Sequence, residues 1–277
     1  IYLMACESGK TKSSIDSTFI SPLTIFQNEI VEHATSASDF DLRALRREKI
    51  TIYFHISAND LILAPQVANL FMSMVIANNI DELPETNPTL KYQLLLLMDE
   101  FTAVGMLSII NKSVGFIAGY GLRLLIIYQS QGQLRADKPN GYGKDGAKAI
   151  LDNIACKILY APDNQEDAEE YSKVLGNRTV DKLSHSRRKT SSHSIPDHGR
   201  PLLLPQEFRL IGEFKEVVML NNSKPILCNK AVYYNDPYFI DKLKAVSPQL
   251  RALGKKLPTK EQLEKAMFSG ELSAQLI

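Results

Sequence analysis

The chain has 277 residues, with 32 Lys and Arg against 31 Asp and Glu, and 44% of it is hydrophobic. This is globular composition, and it excludes wholesale disorder and a fibrous repeat. The net charge of +1 gives no global basic field, so any nucleic-acid role must rest on a local patch or an assembled ring. Cys6, Cys156 and Cys228 lie far apart, which is neither a disulfide framework nor metal-ligand spacing and fits a reducing compartment. The chain begins at Ile1 rather than Met, which suggests a piece cut from a longer protein or a processed one, and it shows no charged lead, apolar core and cleavage site of a signal peptide.

The first marker in chain order is SGKTKSS, at residues 8–14. It contains Gly9, Lys10 and Thr11, but the earlier glycine of a G-x-x-x-x-G-K-[ST] loop would fall at position 4, which is Met4. No such loop occurs anywhere in the sequence, so SGKTKSS is a decoy. TIYFHIS at residues 51–57 is β-branched and aromatic and predicts a strand; His55 reads as a core or edge residue of it. The apolar stretch at 61–80 is interrupted by Pro65, Gln66, Asn69, Asn78 and Asn79, so it predicts a buried helix rather than a membrane span. Leu63, Val67, Leu70, Met74 and Ala77 mark the face of that helix.

LLLLM, residues 94–98, is apolar at every position, as a strand covered on both faces is. Leu107, Ile110, Val114 and Ile117 predict a helix that closes near Gly119 and Gly121. RLLIIYQ at 123–129 is a second buried strand, and a short helix follows near 147–153. IACKILYAP supplies a third strand. Asp163 and Glu166 form a capping-box pattern, Ala168, Tyr171 and Leu175 share a helix face, and Gly176 is a stop. The β-α-β-α-β alternation predicts a three-layer α/β fold with a mainly parallel sheet.

From Asp181 to Pro205 the pattern dissolves into a polar, locally basic loop. His185, His193 and His198 there have irregular spacing and read as loop histidines rather than a zinc site. Arg187, Arg188 and Lys189 read as a solvated loop before a phosphate contact. EVVML and ILCNKAVYY, at 216–220 and 226–234, predict two more strands, with Tyr233 and Tyr234 packing rather than offering stacking platforms. A helical tail from Asp241, broken by Pro248 and Pro258, reads as solvated surface ahead of a partner-docking element.

LLLLMDEF carries the chemistry. Asp99 and Glu100 end a hydrophobic strand, where the chain leaves the sheet and both carboxylates can reach a crevice. In a nucleotide hydrolase the first acid binds Mg²⁺, usually through water, and the second orients and deprotonates the attacking water, the Walker B arrangement. The alternative is an exposed acidic pair opening a helix, favoured by the helix dipole. The flat run of four leucines tips the balance to the first. Gln129 ends the next strand, where an amide can sense a γ-phosphate or hold the catalytic water; the alternative is a polar residue beginning a loop.

LLLLMDEFTAVG, then IAGYGLRLLIIYQSQGQL, then YGKDGAKAILDNIACKILYAPDNQEDAEEYSKVLGNRTV resembles the TraG/TraD-type coupling proteins of conjugation and type IV secretion. TSASDFDLRALRREKITIYFHI and RPLLLPQEFRLIGEFKEVVMLNNSKPILCNKAVYYNDPYF resemble the stretches on either side, so the resemblance covers about residues 20–239. It implies a RecA-like motor domain in a homo-hexameric ring at the cytoplasmic face of the bacterial inner membrane. It implies ATP and Mg²⁺ as ligands, and DNA, relaxase or effector proteins and secretion-channel components as partners. Asp99 falls on the Walker B metal acid, Glu100 on the catalytic base and Gln129 on the family's sensor glutamine. Arg123 falls on a basic position, with phosphate contact across a subunit boundary and a structural salt bridge as the two readings.

The resemblance places residues 1–35 at the end of an all-α insertion and its return segment. Residues 36–240 are the Walker B half of the motor, and residues 241–277 the tail. The family's phosphate loop and membrane helices lie upstream, so the chain looks like the carboxyl-terminal portion of such a protein, inactive alone. The alternatives are a non-catalytic adaptor or remnant of the same fold that recruits substrates, and a plain double-stranded DNA translocase.

Overall fold

A computed structural model of the chain describes residues 9–57, 59–60, 65–181 and 197–269. They divide into two compact units, Ile1–Ala155 and Cys156–Ile277.

In the first unit, Gly9, Lys10 and Thr11 open helix α1 (Gly9–Ile20), and a 3₁₀ stretch leads to α2 (Glu29–Thr35). Asn28 caps α2 by accepting from the N–H groups of Ile30 and Val31. A 3₁₀ turn at Leu42–Arg46 is capped by the Asp41 carboxylate. Residues 51–57 form no ladder among the described residues. Phe54 instead stacks on Phe71 of α3 (Pro65–Ala77) at 4.9 Å, and Ile52 packs on the core. β-branched and aromatic composition favours a pleated strand only where neighbouring side chains and a partner edge receive it.

Helix α3 has Gln66, Asn69 and Ser73 along one stripe and apolar residues over the rest of its surface, so its periodicity fixes a helix but not which apolar residues are buried. The buried residues are Ala68, Val75 and Ile76, whereas Leu70 and Met74, placed on the inner face by the sequence, are 47% and 46% exposed.

Strand β1 (Leu94–Met98) runs parallel to β2 (Leu122–Ile126), with Leu94 opposite Leu122 and Met98 opposite Ile126. Helix α4 (Ser108–Ser113) ends well before the expected stop near Gly119, α5 (Gln131–Arg135) lies where the sequence reads as a loop, and α6 (Gly143–Asn153) starts earlier than expected. Leu96, Met98 and Leu122 form the core with Ile76, Phe101, Ile110, Leu134, Tyr142 and Ile150. The opposite face of the pair carries Leu95, Leu97, Leu125 and Ile127, which are 56%, 57%, 43% and 46% exposed. The expected cover on both faces is therefore met on one face by the described residues.

Gly121 sits at φ +77°, a conformation that a side chain strains, and a Cβ there would lie 3.1 Å from Nη2 of Arg46. Arg46 is 1% exposed and donates to the carbonyls of Asn79 and Glu82, both at 3.1 Å. It ties the turn after α3 to the start of β2. Burial is the first cause of its lowered pKa, followed by the neighbouring Arg47 charge.

In the second unit, β3 (Cys156–Leu159) takes its hydrogen bonds from β6 (Lys215–Leu220) in an antiparallel ladder, and β6 pairs antiparallel with β7 (Ile226–Asn229). β3 therefore closes an antiparallel sheet rather than continuing a parallel one. Helix α7 (Gln165–Leu175) buries Ala168 and Leu175 and ends at Gly176, as read. Its cap is Asn164, which accepts from Asp167 N–H at 2.7 Å, in place of the expected Asp163. The segment read as one long loop contains a hairpin, β4 (Asn177–Asp181) against β5 (Asp197–Pro201), then α8 (Pro205–Arg209). Both hairpin strands are polar, so no alternation announced them. His185, His193, Arg187, Arg188 and Lys189 lie outside the described residues. β7 stops at Asn229, short of the expected strand. Tyr233 and Tyr234 pack edge to face at 5.3 Å and remain half exposed. The tail is helical, as α9 (Pro237–Val246), α10 (Pro248–Arg251) and α11 (Lys260–Phe268) around Leu250, Leu263 and Ala266. Among the described residues no helix is long and apolar enough to cross a membrane.

Candidate active site

The parallel pairing of β1 and β2 places the carboxyl ends of both strands side by side. Beyond the strands the register continues, because Ile127 N–H donates to Met98 O and Phe101 N–H to Ile127 O, both at 2.9 Å. Asp99 and Glu100 sit between those two hydrogen bonds, in the turn that leaves β1. Phe101 is fully buried and stacks on Tyr142 at 5.1 Å, so the turn is anchored directly below its two acids. The Tyr142 hydroxyl accepts from Leu107 N–H at 3.2 Å, and burial pushes its pKa up to about 12. Phe101 and Tyr142 thus fix both ends of the loop that follows Glu100.

That loop returns through Gly105, at φ +70°. A Cβ there would meet the Pro139 carbonyl oxygen at 2.9 Å, and that carbonyl accepts from Met106 N–H at 2.8 Å. Only glycine permits the close approach. The loop also walls a cleft of about 580 Å³ lined by Gln66, Asn69, Ser73, Thr102, Gly105 and Asn140, among others. Asp99, Glu100 and Gln129 are not in its lining.

The Gln129 side chain crosses to Glu100, its Nε2 donating to Oε1 at 3.2 Å and lying 3.5 Å from Oε2. Two of the four residues read from the sequence are therefore in direct contact, and Asp99 is adjacent. The Asp99 carboxylate is exposed and has no hydrogen-bond partner among the described residues. An unpaired carboxylate at a strand tip fits a Mg²⁺ held partly through water, since Mg²⁺ usually takes one or two carboxylates plus phosphate oxygens. Among the described residues no three His, Cys, Asp or Glu gather into a ligand set. The acid and the amide could accept and orient a water between them.

Arg123 does not join this group. It opens β2 and donates to the carbonyls of Ala118 at 2.9 Å and Leu122 at 3.3 Å. It stands six positions before Gln129, at the opposite end of β2, roughly 20 Å away along the extended chain. Neither a salt bridge nor a contact with the acids involves it among the described residues.

Gln133 and Thr102 belong to the site and were not singled out from the sequence. Gln133 Nε2 donates to Gln129 Oε1 at 3.3 Å, and Thr102 Oγ1 donates to Gln133 Oε1 at 3.3 Å. The available signal was YQSQGQL, in which Ser130 precedes a helical turn and glutamines stand four apart.

The chain matches the family model described as Type IV secretory system Conjugative DNA transfer over residues 3–260. It is similar to Protein VirD4 of Rhizobium rhizogenes, 31% identical over 218 residues, which are 77% of this chain and 32% of that protein. It is also similar to the conjugal transfer protein TraG of Escherichia coli, 28% identical over 270 residues, 88% of this chain and 41% of that protein. The chain thus spans about a third to two fifths of the length of these relatives. The plasmid coupling protein TrwB, solved in complex with ADP and Mg²⁺, superposes with a TM-score of 0.64 at 15% identity. The match covers 82% of this chain and 51% of that one. At that identity the likeness speaks for the fold, which is the three-layer α/β, RecA-like architecture expected from the sequence.

Proposed function

The chain belongs to the type IV secretory system conjugative DNA transfer family, and we propose from that membership that it carries the hydrolytic half of a coupling ATPase. The complete protein forms a homo-hexameric ring at the cytoplasmic face of the bacterial inner membrane. It uses ATP hydrolysis to deliver DNA, relaxase or effector proteins, or both, to a type IV secretion channel. No stretch of the 277 residues reads G-x-x-x-x-G-K-[ST], so we assign the phosphate cradle, and the membrane helices with it, to the remainder of the protein. Residues 36–240 are the motor portion, residues 1–35 the end of an insertion and its return, and residues 241–277 a helical tail.

The observation that carries this reading is the meeting of Glu100 and Gln129, beside the exposed Asp99, at the tips of two parallel strands. TrwB, of the same fold, has been solved with ADP and Mg²⁺, which supports ATP and Mg²⁺ as the ligands here. Asp99 would hold Mg²⁺, which would supply charge neutralisation on the phosphates. Glu100 takes a proton from the attacking water as that water's oxygen bonds to the γ-phosphorus and the bond to the leaving ADP oxygen breaks. Gln129 orients Glu100 and the water. Arg123, at the far end of β2, meets phosphate across a subunit boundary rather than in its own subunit. The face formed by Leu95, Leu97, Leu125 and Ile127, about half exposed among the described residues, supports a larger protein as well, because parallel strands are normally covered on both faces.

Conjugal transfer tests the reading. A strain carrying Glu100→Gln in the full-length protein is expected to lose transfer by about 100-fold or more, with the protein present at normal level. Unchanged transfer would overturn it and favour a non-catalytic adaptor of the same fold.

A further inference from the structure

We propose that Gln133 is a positioning residue for hydrolysis, which sets the orientation of the Gln129 amide towards Glu100. The proposal rests on the reading of Glu100 and Gln129 given above. Its basis is the direction of a three-bond relay. An ionised carboxylate only accepts, so Gln129 must present its NH₂ to Glu100, as it does at 3.2 Å. The Gln129 carbonyl then faces away and calls for a donor. Gln133 Nε2 supplies it at 3.3 Å, which turns the Gln133 carbonyl outward, where Thr102 Oγ1 donates to it at 3.3 Å. Each amide can take only one orientation in this chain, because reversing one would set acceptor against acceptor or donor against donor.

The backbone holds Gln133 in place for this task. Ser130 caps α5, its Oγ accepting from the Gln133 N–H at 3.2 Å, so the residue stands one helical turn beyond Gln129. Gln131 and Leu134, on either side of it, are buried and pin the helix to the core. Gln133 itself is exposed, so its side chain adds little to the core. Thr102 lies in the loop directly after the two acids, so the relay closes on the same turn from which it starts.

The isosteric Gln133→Glu tests this. A carboxylate at 133 cannot donate to Gln129 Oε1, and it would draw the Gln129 NH₂ away from Glu100. In the full-length protein, kcat for ATP is expected to fall about tenfold or more, with KM within about twofold of wild type. Gln133→Ala, which admits a donating water, should fall less. In a Gln129→Ala background the Gln133→Glu change should have no further effect, because the group it positions is gone. An unchanged kcat for Gln133→Glu, or an equal loss in the Gln129→Ala background, would overturn the proposal. Glu100→Gln assayed alongside separates the two ideas: if it keeps full turnover, the reading of the site itself has failed.

Discussion

The Gln129 side-chain amide donates to the Glu100 carboxylate at 3.2 Å, which joins the tips of two strands that run in parallel. The amide nitrogen also lies 3.5 Å from the second oxygen, so it holds the carboxylate of the proposed base in place. Gln129→Leu should therefore lower single-turnover ATP hydrolysis by about 100-fold while nucleotide affinity changes by less than about threefold. Rapid-quench hydrolysis, with fluorescent nucleotide titration beside it, checks both halves of that expectation in the full-length protein. A loss confined to affinity would place Gln129 in binding instead.

Tyr142 closes the loop behind the acids, and its hydroxyl is the acceptor for the buried Leu107 N–H. Tyr142→Phe leaves that N–H unpaired and should cost about 1–3 kcal/mol, read by urea denaturation. The same residue sets an alkaline limit. Its pKa rises from 10.0 unfolded to about 12 folded, so the unfolded chain releases the proton first. Its contribution is complete below pH 10 and is lost as pH rises from there towards about 12. Tyr142→Phe should flatten the denaturation midpoint over that window.

Much of this was legible beforehand. LLLLMDEF gave a strand with the right ends and two acids at its tip, because a continuous apolar run followed by charge has few other solutions. The inner face of α3 was not legible, since apolar residues cover most of its surface outside the Gln66, Asn69 and Ser73 stripe, and packing chose Ala68 and Ile76 over Leu70 and Met74. The β4–β5 hairpin escaped because polar strands pair through backbone alone. Gln133 escaped because one exposed amide has no periodicity, and only its hydrogen bond to Gln129 distinguishes it.

Gly121 lets β2 start against the buried Arg46 guanidinium. Gly121→Ala places a methyl 3.1 Å from Arg46 Nη2 at φ +77°. It should destabilise the chain by about 1–2 kcal/mol from backbone strain alone. The expected readout is a lower denaturation midpoint with an unchanged slope; a neutral Gly121→Ala would contradict the positive-φ strain assigned to this position.

Glu207 sets an acid limit. Its carboxylate accepts from Leu204 N–H at 2.9 Å and pairs with Arg200, and the backbone hydrogen bond is the first cause of its lowered pKa. A depressed folded pKa stabilises above the unfolded value and is lost as pH falls through the folded one. Glu207→Gln should therefore show a shallower loss of stability on acidification, measured as denaturation midpoint against pH. Superimposable curves would assign the acid limit to other carboxylates.

The most direct measurement is ATP turnover and nucleotide binding by the full-length protein carrying Glu100→Gln. The account predicts that turnover falls by about 100-fold or more while ATP binding with Mg²⁺ is retained, since the amide keeps its place but takes no proton. Undiminished hydrolysis by Glu100→Gln would contradict the assignment of Glu100 as the base.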